Sequence, residues 1–529
     1  MMYGGGRMPA VLARLDPWEY LPLAYLSLLL AVLMWNVLIG GQIARLARAP
    51  RLFTRLSGVI GLLLAPAMVV AIAVGSYDGA RTVQGIAWVW PLLCLLAVAQ
   101  AAWATGGRLV SSVVGLPILL FDLCLFVLAL ADYLLATRGT APTALLGLVA
   151  GRDTVLGLFF GRAALTSPLA LQLPILVPAS PARWRSSATV RALLVLLATS
   201  GAALLLLEWP RGVGAVRSYT PWRAEQLQER AASDFSIGVR LLPTLGDVPK
   251  LGPLRNDLAL VDSLDPQVVL LVLTPEAARS ASLDSLSRVV DVLRSDSTRL
   301  HVALSMGATE IARVRGRGAR GMDERLAALE RITRRLRPDV VYAGWEPAVP
   351  GLRMERPLPL AWWRDYLVRS ARTVRGVRPR TQIGLSLARL DVGDSALHAW
   401  AHPPAGARVI DVIAAQVTPS FSGAAAVDAR LRAIDRWQAR DRARDRPSSE
   451  LWIAAVSGVP RAHGDESQRL TMLHVLAWAT RRPQVRGVIV GDAGDYDAST
   501  GLRAADGRLR PAVTTIMRVS RGLRERAAR

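Results

Sequence analysis

Long apolar runs crowd into the first 208 residues of this 529-residue chain. A run of about twenty apolar residues has the length that an α-helix needs to cross the hydrocarbon core of a bilayer. From about residue 234 onward, short apolar runs alternate instead with charged segments of helix length, as in a globular domain. The sequence therefore predicts a polytopic transmembrane domain over residues 1–210, a stalk over 211–233 and a soluble domain over 234–529.

About six α-helical spans are predicted in the N-terminal part. Their approximate ranges are 20–40, 58–75, 86–105, 109–136, 155–179 and 190–208. The fifth is the least regular, because charged residues interrupt it and Pro168, Pro174 and Pro178 break it up. It could be a kinked helix, a re-entrant segment or two short pieces.

Arginines in two loops predict how the spans are oriented. They are Arg45, Arg48, Arg51 and Arg55 after the first span, and Arg183, Arg185 and Arg191 before the last. Arginine-rich short loops stay in the cytoplasm. With six spans both loops are cytoplasmic, and the chain leaves the bilayer at Trp209-Pro210 on the outer side. We therefore expect an integral protein of a bacterial cytoplasmic membrane with its C-terminal domain outside the cytoplasm.

Two acidic residues, Asp122 and Asp132, lie within the fourth predicted span. A carboxylate at membrane depth is costly and normally faces a partner or a wet cavity. One hypothesis pairs Asp122 with Arg162 in a polar pathway. The alternative is a structural pair between helices, or for Asp132 a position near the membrane surface. The alternative is favoured, because no broken-helix repeat or substrate motif indicates a transporter.

The composition argues against nucleic acid as a partner, although the net charge is +23. Lys250 is the only lysine, and the arginines are scattered over predicted helices without the aromatic interleaving of a nucleic-acid groove. The two cysteines, Cys94 and Cys124, lie in predicted spans, so the soluble part has no disulfide framework or cysteine-based metal site. No cofactor is expected.

The soluble part is predicted to contain eight strand–helix units. The candidate strands are Ser236–Leu241, Val268–Leu273, His301–Met306, Val340–Gly344, Gln382–Leu387, Val409–Ala415, Leu451–Val456 and Val485–Val490. Helical patterns between them include Asp323–Arg337, Leu360–Val374, Ala425–Arg444 and Glu466–Thr480. Continuous apolar strands alternating with helices are typical of parallel sheets, and eight units fit a (β/α)8 TIM barrel. A doubly wound open sheet is the alternative, but that fold is expected to have a glycine-rich phosphate-binding turn after an early strand, which the sequence lacks.

Function in such a barrel lies at the carboxyl ends of the strands. The residues at these ends are Arg240, Thr274, Glu276, Ser305, Glu346, Arg389, Asp391, Gln416, Thr418, Ser457, Asp492 and Asp495. His301 opens its strand, which favours a place in the core. The other four histidines are interpreted as showing no metal-ligand spacing such as an i, i+4 pair, so no metal site is expected.

Three passages resemble the clan A glycoside hydrolases, a group of retaining glycosidases built on this barrel. They are Trp345-Glu346-Pro347 after the fourth strand, Leu451–Pro460 in the seventh, and Asp465-Glu466-Ser467-Gln468 leading a helix before the eighth strand and Asp492. The resemblance implies that Glu346 is the general acid/base. It also implies glycan contacts from Arg240, Trp345, Arg389, Asp391, Gln416, Ser457 and Asp495, with Trp345 as a stacking platform at the mouth.

The sequence departs from that family at two functional positions. Ala455 stands where the family has its nucleophilic glutamate, and Trp345 replaces the asparagine before the acid/base. Retaining hydrolysis needs two carboxyl groups about 5–5.5 Å apart. The favoured hypothesis is therefore a pseudoenzyme that binds an envelope or exported polysaccharide beside a lipid bilayer and other envelope or export proteins.

Two further hypotheses stay open. One is an active glycoside hydrolase or transglycosidase, with Glu346 as proton donor and Asp492, Asp495 or Asp391 as the second acid. The other is a transporter with an accessory outer domain, which rests on the apolar half and its intramembrane aspartates.

Overall fold

The structure is a computed structural model. It describes residues 21–43, 50–74, 84–160, 173–177, 187–224, 227, 230, 234–242, 244–245, 248–249, 251–278, 280–294, 298–306, 308–347, 358–402, 408–417, 423–443, 449–496 and 500–527.

The N-terminal part is a bundle of α-helices. Its described helices are α1 (Leu21–Ile43), α2 (Arg51–Val74), α3 (Val89–Gly106), α4 (Ser112–Arg138), α5 (Thr143–Phe160) and α6 (Ser187–Arg217). Among the described residues, four segments are long and apolar enough to cross a membrane: Arg51–Val70, Val89–Gly106, Ser112–Arg138 and Ala188–Trp222. Ala24–Gly40 is a shorter apolar helix. Large apolar side chains such as Leu62 and Val113 point away from the bundle core, each 76% exposed.

The fifth predicted span, 155–179, does not exist as one helix. Helix α5 begins earlier, at Thr143, and ends at Phe160, while Leu173–Val177 form an extended strip that is buried inside the bundle. Arg152 and Asp153 lower the apolarity of α5, and three prolines remove the backbone donors that a continuing helix would need.

Polar side chains from three helices hold the extended strip. Asp122 accepts a hydrogen bond from the Ile175 N–H at 2.9 Å, and the Asn36 carboxamide bonds both the Leu176 N–H and the Pro174 carbonyl. Gln100 bonds the N–H and the carbonyl of Val177, each at 3.1 Å. Buried backbone donors and acceptors outside a helix need hydrogen-bond partners, and here side chains supply them.

The C-terminal part contains a closed eight-stranded parallel barrel, as predicted. The strands are β1 (Ser236–Leu241), β2 (Thr244–Leu245), β3 (Val248–Pro249), β4 (Val268–Leu273), β5 (Arg299–Leu304), β6 (Val340–Trp345), β7 (Gln382–Leu387), β8 (Val412–Gln416), β9 (Glu450–Val456) and β10 (Val485–Asp492). The order around the barrel is β1-β10-β9-β8-β7-β6-β5-β4, and β2 with β3 forms a separate antiparallel ribbon.

Helices surround the strands and cover their outer faces. They are α7 (Leu251–Leu264), α8 (Ser280–Leu293), α9 (Ala308–Arg317), α10 (Ala319–Leu336), α11 (Leu360–Val377), α12 (Val392–Ala401), α13 (Ala424–Ala443), α14 (Pro460–His463), α15 (Asp465–Thr480) and α16 (Pro511–Ala527). The predicted strands and helices agree with these bounds to within about three residues, except that α10 starts four residues early.

The barrel interior is filled by side chains, as is usual for this fold. His301 lies in it with 0% exposure, as its early place in β5 predicted, and contacts the rings of Tyr342 and Trp452. Trp345 packs edge-on against Tyr342 in the same interior cluster. The described interior of the barrel is therefore a packed core, and we expect functional groups at the carboxyl ends of the strands.

The barrel joins the bundle through loops at its carboxyl face. Val459 and Ala462, in the connection between β9 and α15, are buried in the apolar cluster of the bundle. Nearby, the Asp465 N–H donates to the Gly139 carbonyl at 3.1 Å. Gly139 has φ +69°, and a Cβ there would lie 2.2 Å from the Asp465 carboxylate, so only glycine fits.

Two more contacts of this interface involve the end of α6. Tyr219 Oη lies 3.2 Å from His463 Nδ1, and the Ala424 N–H donates to Ser218 Oγ at 2.9 Å. Trp222 stacks on His474 with ring centroids 4.0 Å apart, inside the barrel's helical layer. Because the ends of α4 and α6 meet the same barrel loop, both ends lie on one side of the bundle.

The strip held by Gln100 gives the first testable prediction. Gln100→Leu leaves a backbone donor and an acceptor buried without partners, which costs about 1–3 kcal/mol for each group. We expect the purified full-length protein in detergent to unfold at a clearly lower temperature. Leu62→Ala, at an exposed position of α2, is the control and should change stability much less. Wild-type unfolding of Gln100→Leu would show that the strip does not need this partner.

Candidate functional site

The candidate site is the mouth of the barrel, defined here as the carboxyl ends of its eight parallel strands and the residues that directly follow them. Its polar side chains come from different strands, and many of them form hydrogen bonds or ion pairs with one another. These interactions determine which groups are able to contact a substrate.

Arg240 and Asp492 face each other across β1 and β10, which pair in the barrel. Arg240 Nε and Nη2 donate to the two Asp492 oxygens at 2.7 and 2.8 Å. Their side chains are only 14% and 9% exposed. The bidentate geometry orients the two groups toward each other. Asp492, the weak candidate for a second acid, is therefore held by an arginine.

Asp495 is likewise bound to an arginine. Arg510 donates to both of its oxygens at 2.8 and 2.7 Å and also reaches Asp465 at 3.0 Å. The Gly501 N–H bonds Asp495 as well, at 2.8 Å. All three charged side chains are below 10% exposed. This buried triad fixes the loop after β10 to the first turn of α15.

Glu346 follows β6 directly and is half-buried. Its backbone lies in the left-handed region at φ +54°, and its N–H donates to the Ser386 carbonyl at 3.1 Å. Leu390 and Ala455, which also lie at the mouth, have φ +57° and +52°. Such angles are unfavourable for residues with a Cβ and cluster at functional sites in proteins.

Trp345 does not form a platform at the mouth. It is 4% exposed and belongs to the interior cluster of the barrel. The register between β6 and β7 shifts between Tyr342 and Gly344, so the simple alternation of side chains does not continue to Trp345. The prediction of a stacking surface for sugars is therefore wrong for this side chain.

Gln416 and Ser457 are both buried and hydrogen-bonded inside the protein. Gln416 Nε2 donates to Ser386 Oγ at 2.7 Å, across β7 and β8. Ser457 Oγ donates to the Thr500 carbonyl at 2.6 Å. Thr418, predicted beside Gln416, lies outside the described residues.

Arg389 and Asp391 are the most accessible of the predicted binding residues. Their side chains are 53% and 39% exposed and lie 3.1 Å apart. Asp391 caps α12 by accepting a hydrogen bond from the Asp394 N–H at 3.0 Å. It also lines an open groove of about 580 Å³, together with Trp437 and Arg440.

Asp394 fastens the Arg389 loop from below. Its carboxylate accepts hydrogen bonds from the N–H groups of Arg389 and Leu390, both at 2.8 Å. Burial raises the pKa of Asp394 to about 6, against the lowering effect of these two bonds. The loop that carries the exposed Arg389–Asp391 pair is therefore held by a buried carboxyl group whose charged form is costly.

The prediction that the histidines include no i, i+4 pair is wrong. His398 and His402 are four residues apart in and after α12, and with Asp441 they place three ligand atoms within 4.8 Å of one another. His402 is already engaged, however. Its Nδ1 lies 3.0 Å from the His398 carbonyl, and its Nε2 accepts from the Ser449 N–H at 3.1 Å. A metal would have to displace one of these bonds, so the prediction of no metal site is kept as a prediction.

The predicted membrane pair is only half described, since Arg162 lies outside the described residues. Asp122 bonds the buried strip through Ile175, as given above. Asp132 instead pairs with Arg152, which also donates to Asp153 at 2.8 Å. This cluster lies near the end of α4 that meets the barrel.

Sequence reasoning missed the arginines that hold the mouth together. Arg510 was not singled out, and neither was the buried pair of Arg503 with Asp257. Asp465 leads a helix as predicted, but its bonds to Arg508 and Arg510 were not predicted. In a chain with 64 basic residues, no local signal marks these few.

No family model matches the sequence, and no curated protein matches it. Among solved structures, the chain is similar to β-glucuronidase from Ruminococcus gnavus in complex with D-glucaro-d-lactam, with a TM-score of 0.39, 8% identity and coverage of 54% of this chain and 49% of that chain. The same enzyme with D-glucuronic acid gives a TM-score of 0.38, 9% identity, and 54% and 49% coverage. The chain spans about half the length of these enzymes, and the likeness concerns the barrel fold alone.

The Arg240–Asp492 pair gives the second prediction. Asp492→Ala leaves a largely buried guanidinium without this partner, and breaking a buried pair costs about 3 kcal/mol or more. We expect a correspondingly lower urea midpoint for the full-length protein in detergent. Asp323→Ala, which breaks the exposed pair with Arg369, is the control and should cost at most about 1 kcal/mol. Equal effects of the two substitutions would contradict a structural role for Asp492.

Proposed function

We propose that this protein is a membrane-anchored barrel that binds glycan outside the cytoplasm without cleaving it by a retaining mechanism. The observation that carries the proposal is Ala455. Ala455 occupies the position near the end of β9 where the resemblance places a nucleophilic glutamate, and its methyl group offers no carboxylate. The left-handed backbone at Ala455 matches that at Glu346, across the mouth.

The state of the other acids supports the same proposal. Asp492, Asp495 and Asp391 were the candidates for a second carboxylate, and each is paired with an arginine in the structure. The pairs at Asp492 and Asp495 are bidentate, so each carboxylate is directed toward a guanidinium. Asp391 has one contact with Arg389 and its side chain stays 39% exposed. Double displacement through Glu346 and one of these acids would require that pair to open.

The orientation is part of the proposal. Arginine-rich loops before α2 and before α6 predict a cytoplasmic location for those helix starts. The ends of α4 and α6 then lie outside, which agrees with both ends contacting one barrel loop. Glycan would therefore be met on the outer side of the membrane.

A second candidate function, transport, is favoured by one observation. The strip Leu173–Val177 interrupts the helical bundle and is held by Asn36, Gln100 and Asp122. Transporters bind substrate at discontinuous segments of this kind. A transporter would have to exchange these partners during its cycle, so slow hydrogen exchange of the Val177 N–H under all conditions would argue for a static strip.

The third prediction tests binding against hydrolysis. Full-length protein in detergent is incubated with bacterial oligosaccharides, and both calorimetric binding and the release of new reducing ends are measured. We expect binding of at least one oligosaccharide and no release above background. Glu346→Gln should leave release at that background, and Glu330→Gln, an exposed glutamate on α10, is the matched control.

The other outcomes separate the alternatives. Release that Glu346→Gln abolishes and Glu330→Gln preserves would establish an active hydrolase with Glu346 as its acid. Absence of both binding and release would reject glycan as the ligand of this barrel.

A further inference from the structure

The loops that join the barrel to the bundle are the loops that surround its mouth. Gly423 and Ala424 follow β8, Val459 to Asp465 follow β9, and Arg508 lies in the connection after β10. Each contacts the bundle: a Cβ at Gly423 would meet the Ala215 carbonyl, and one at Gly139 would meet Arg508. Because β8, β9 and β10 are neighbours in the barrel, one continuous sector of the mouth rests on the bundle.

The height of the mouth follows from the length of α6. Tryptophan is enriched at membrane surfaces, and Trp209 is 39% exposed near the end of this helix. From Trp209 to Arg217 the helix rises about 12 Å, at 1.5 Å per residue. The docked loops contact Ser218 and Tyr219 directly above that point. The mouth thus lies within about 15 Å of the expected bilayer surface.

The remaining sector of the mouth carries Glu346 after β6 and the exposed pair Arg389 and Asp391 after β7. Strand β7 lies next to β8 on the side away from β9, and β6 lies next to β7. A ligand that reaches them while the β8–β10 sector is covered approaches along the membrane surface. A group tethered to the bilayer is presented in that direction and at that height.

Two exposed arginines lie beside the docked loops, Arg138 at the end of α4 and Arg217 at the end of α6. Arg508, beside Gly139, is already paired with Asp465 and Asp506. Arginine binds phosphate oxygens through several parallel hydrogen bonds. A lipid that carries its sugar through a phosphate would place that phosphate near these guanidinium groups.

We propose that the ligand of the barrel is a glycan attached through phosphate to a membrane lipid, and that the barrel meets it at the bilayer surface beside α4 and α6. The inference rests on the proposed glycan-binding function and adds the class of ligand. A free, soluble polysaccharide would lack both the tether and the phosphate.

The test uses full-length protein in phosphatidylcholine nanodiscs and oligosaccharides of the panel described above in three forms. These are the free oligosaccharide, the same sugar joined to phosphatidic acid through a phosphodiester, and the same lipid with a long polyethylene glycol spacer between the phosphate and the sugar. Tethering raises the effective concentration only when its length matches the distance between the sites. We expect the short tether to lower the Kd by about tenfold or more relative to the free sugar, and the long spacer to lose most of that gain.

Paired variants test the basic surface. Arg138→Gln with Arg217→Gln should weaken binding of the short phospholipid-linked form severalfold and leave the free sugar unaffected. Arg334→Gln, an exposed arginine on α10, is the control and should change neither.

The failures are distinguishable. If the free sugar binds as tightly as both lipid-linked forms, or if the long spacer is as good as the short one, the lipid-linked ligand is rejected and glycan binding stands. If no form binds, both the proposed function and this inference are rejected.

Discussion

The contact between the β9–α15 connection and the ends of α4 and α6 decides how the two parts of the chain work together. It buries Val459 and Ala462 in the bundle and hydrogen-bonds Asp465 to Gly139. The same connection begins after Val456, directly beyond Ala455, where the resemblance places the nucleophile. A (β/α)8 barrel keeps its functional groups at the carboxyl ends of the strands, so docking this face on the bundle restricts how any ligand enters.

Buried arginines stabilise that arrangement and at the same time occupy the mouth's acids. A buried carboxylate without a partner is expensive, whereas a bidentate guanidinium compensates much of its desolvation. Arg240 forms an ion pair with Asp492, and Arg510 forms ion pairs with both Asp495 and Asp465. The acids that a second catalytic role would need are thus used to hold loops together. These pairs support the proposal that the barrel binds glycan without hydrolysing it.

Much of the fold was predictable because it is encoded locally. Continuous apolar strands of five to eight residues and amphipathic helices repeat in alternation, and all eight barrel strands were predicted. The fifth span was not, because its prolines and charges break the helical pattern while the partners of the strip, Asn36 and Gln100, lie 138 and 77 residues away.

The candidate site was predictable in position and less so in detail. Strand ends identified Arg240, Glu346 and Asp492 as mouth residues, but the pairing of Arg240 with Asp492 joins residues 252 positions apart. Trp345 was misplaced because a one-residue irregularity in β6 changes the face to which a side chain points. Neither a distant partner nor a register shift leaves a periodic signal in the sequence.

The docking of the barrel mouth on the bundle is tested most directly by a disulfide. Ser218→Cys with Ala424→Cys, in a background where Cys94 and Cys124 are alanine, places two thiols across a contact in which Ala424 N and Ser218 Oγ are 2.9 Å apart. Mild oxidation of native membranes should join them rapidly, and Ser218→Cys with Thr298→Cys, at the opposite end of the barrel, should stay reduced. Failure of the first pair to cross-link, or equal cross-linking of the second, would contradict a mouth that faces the membrane.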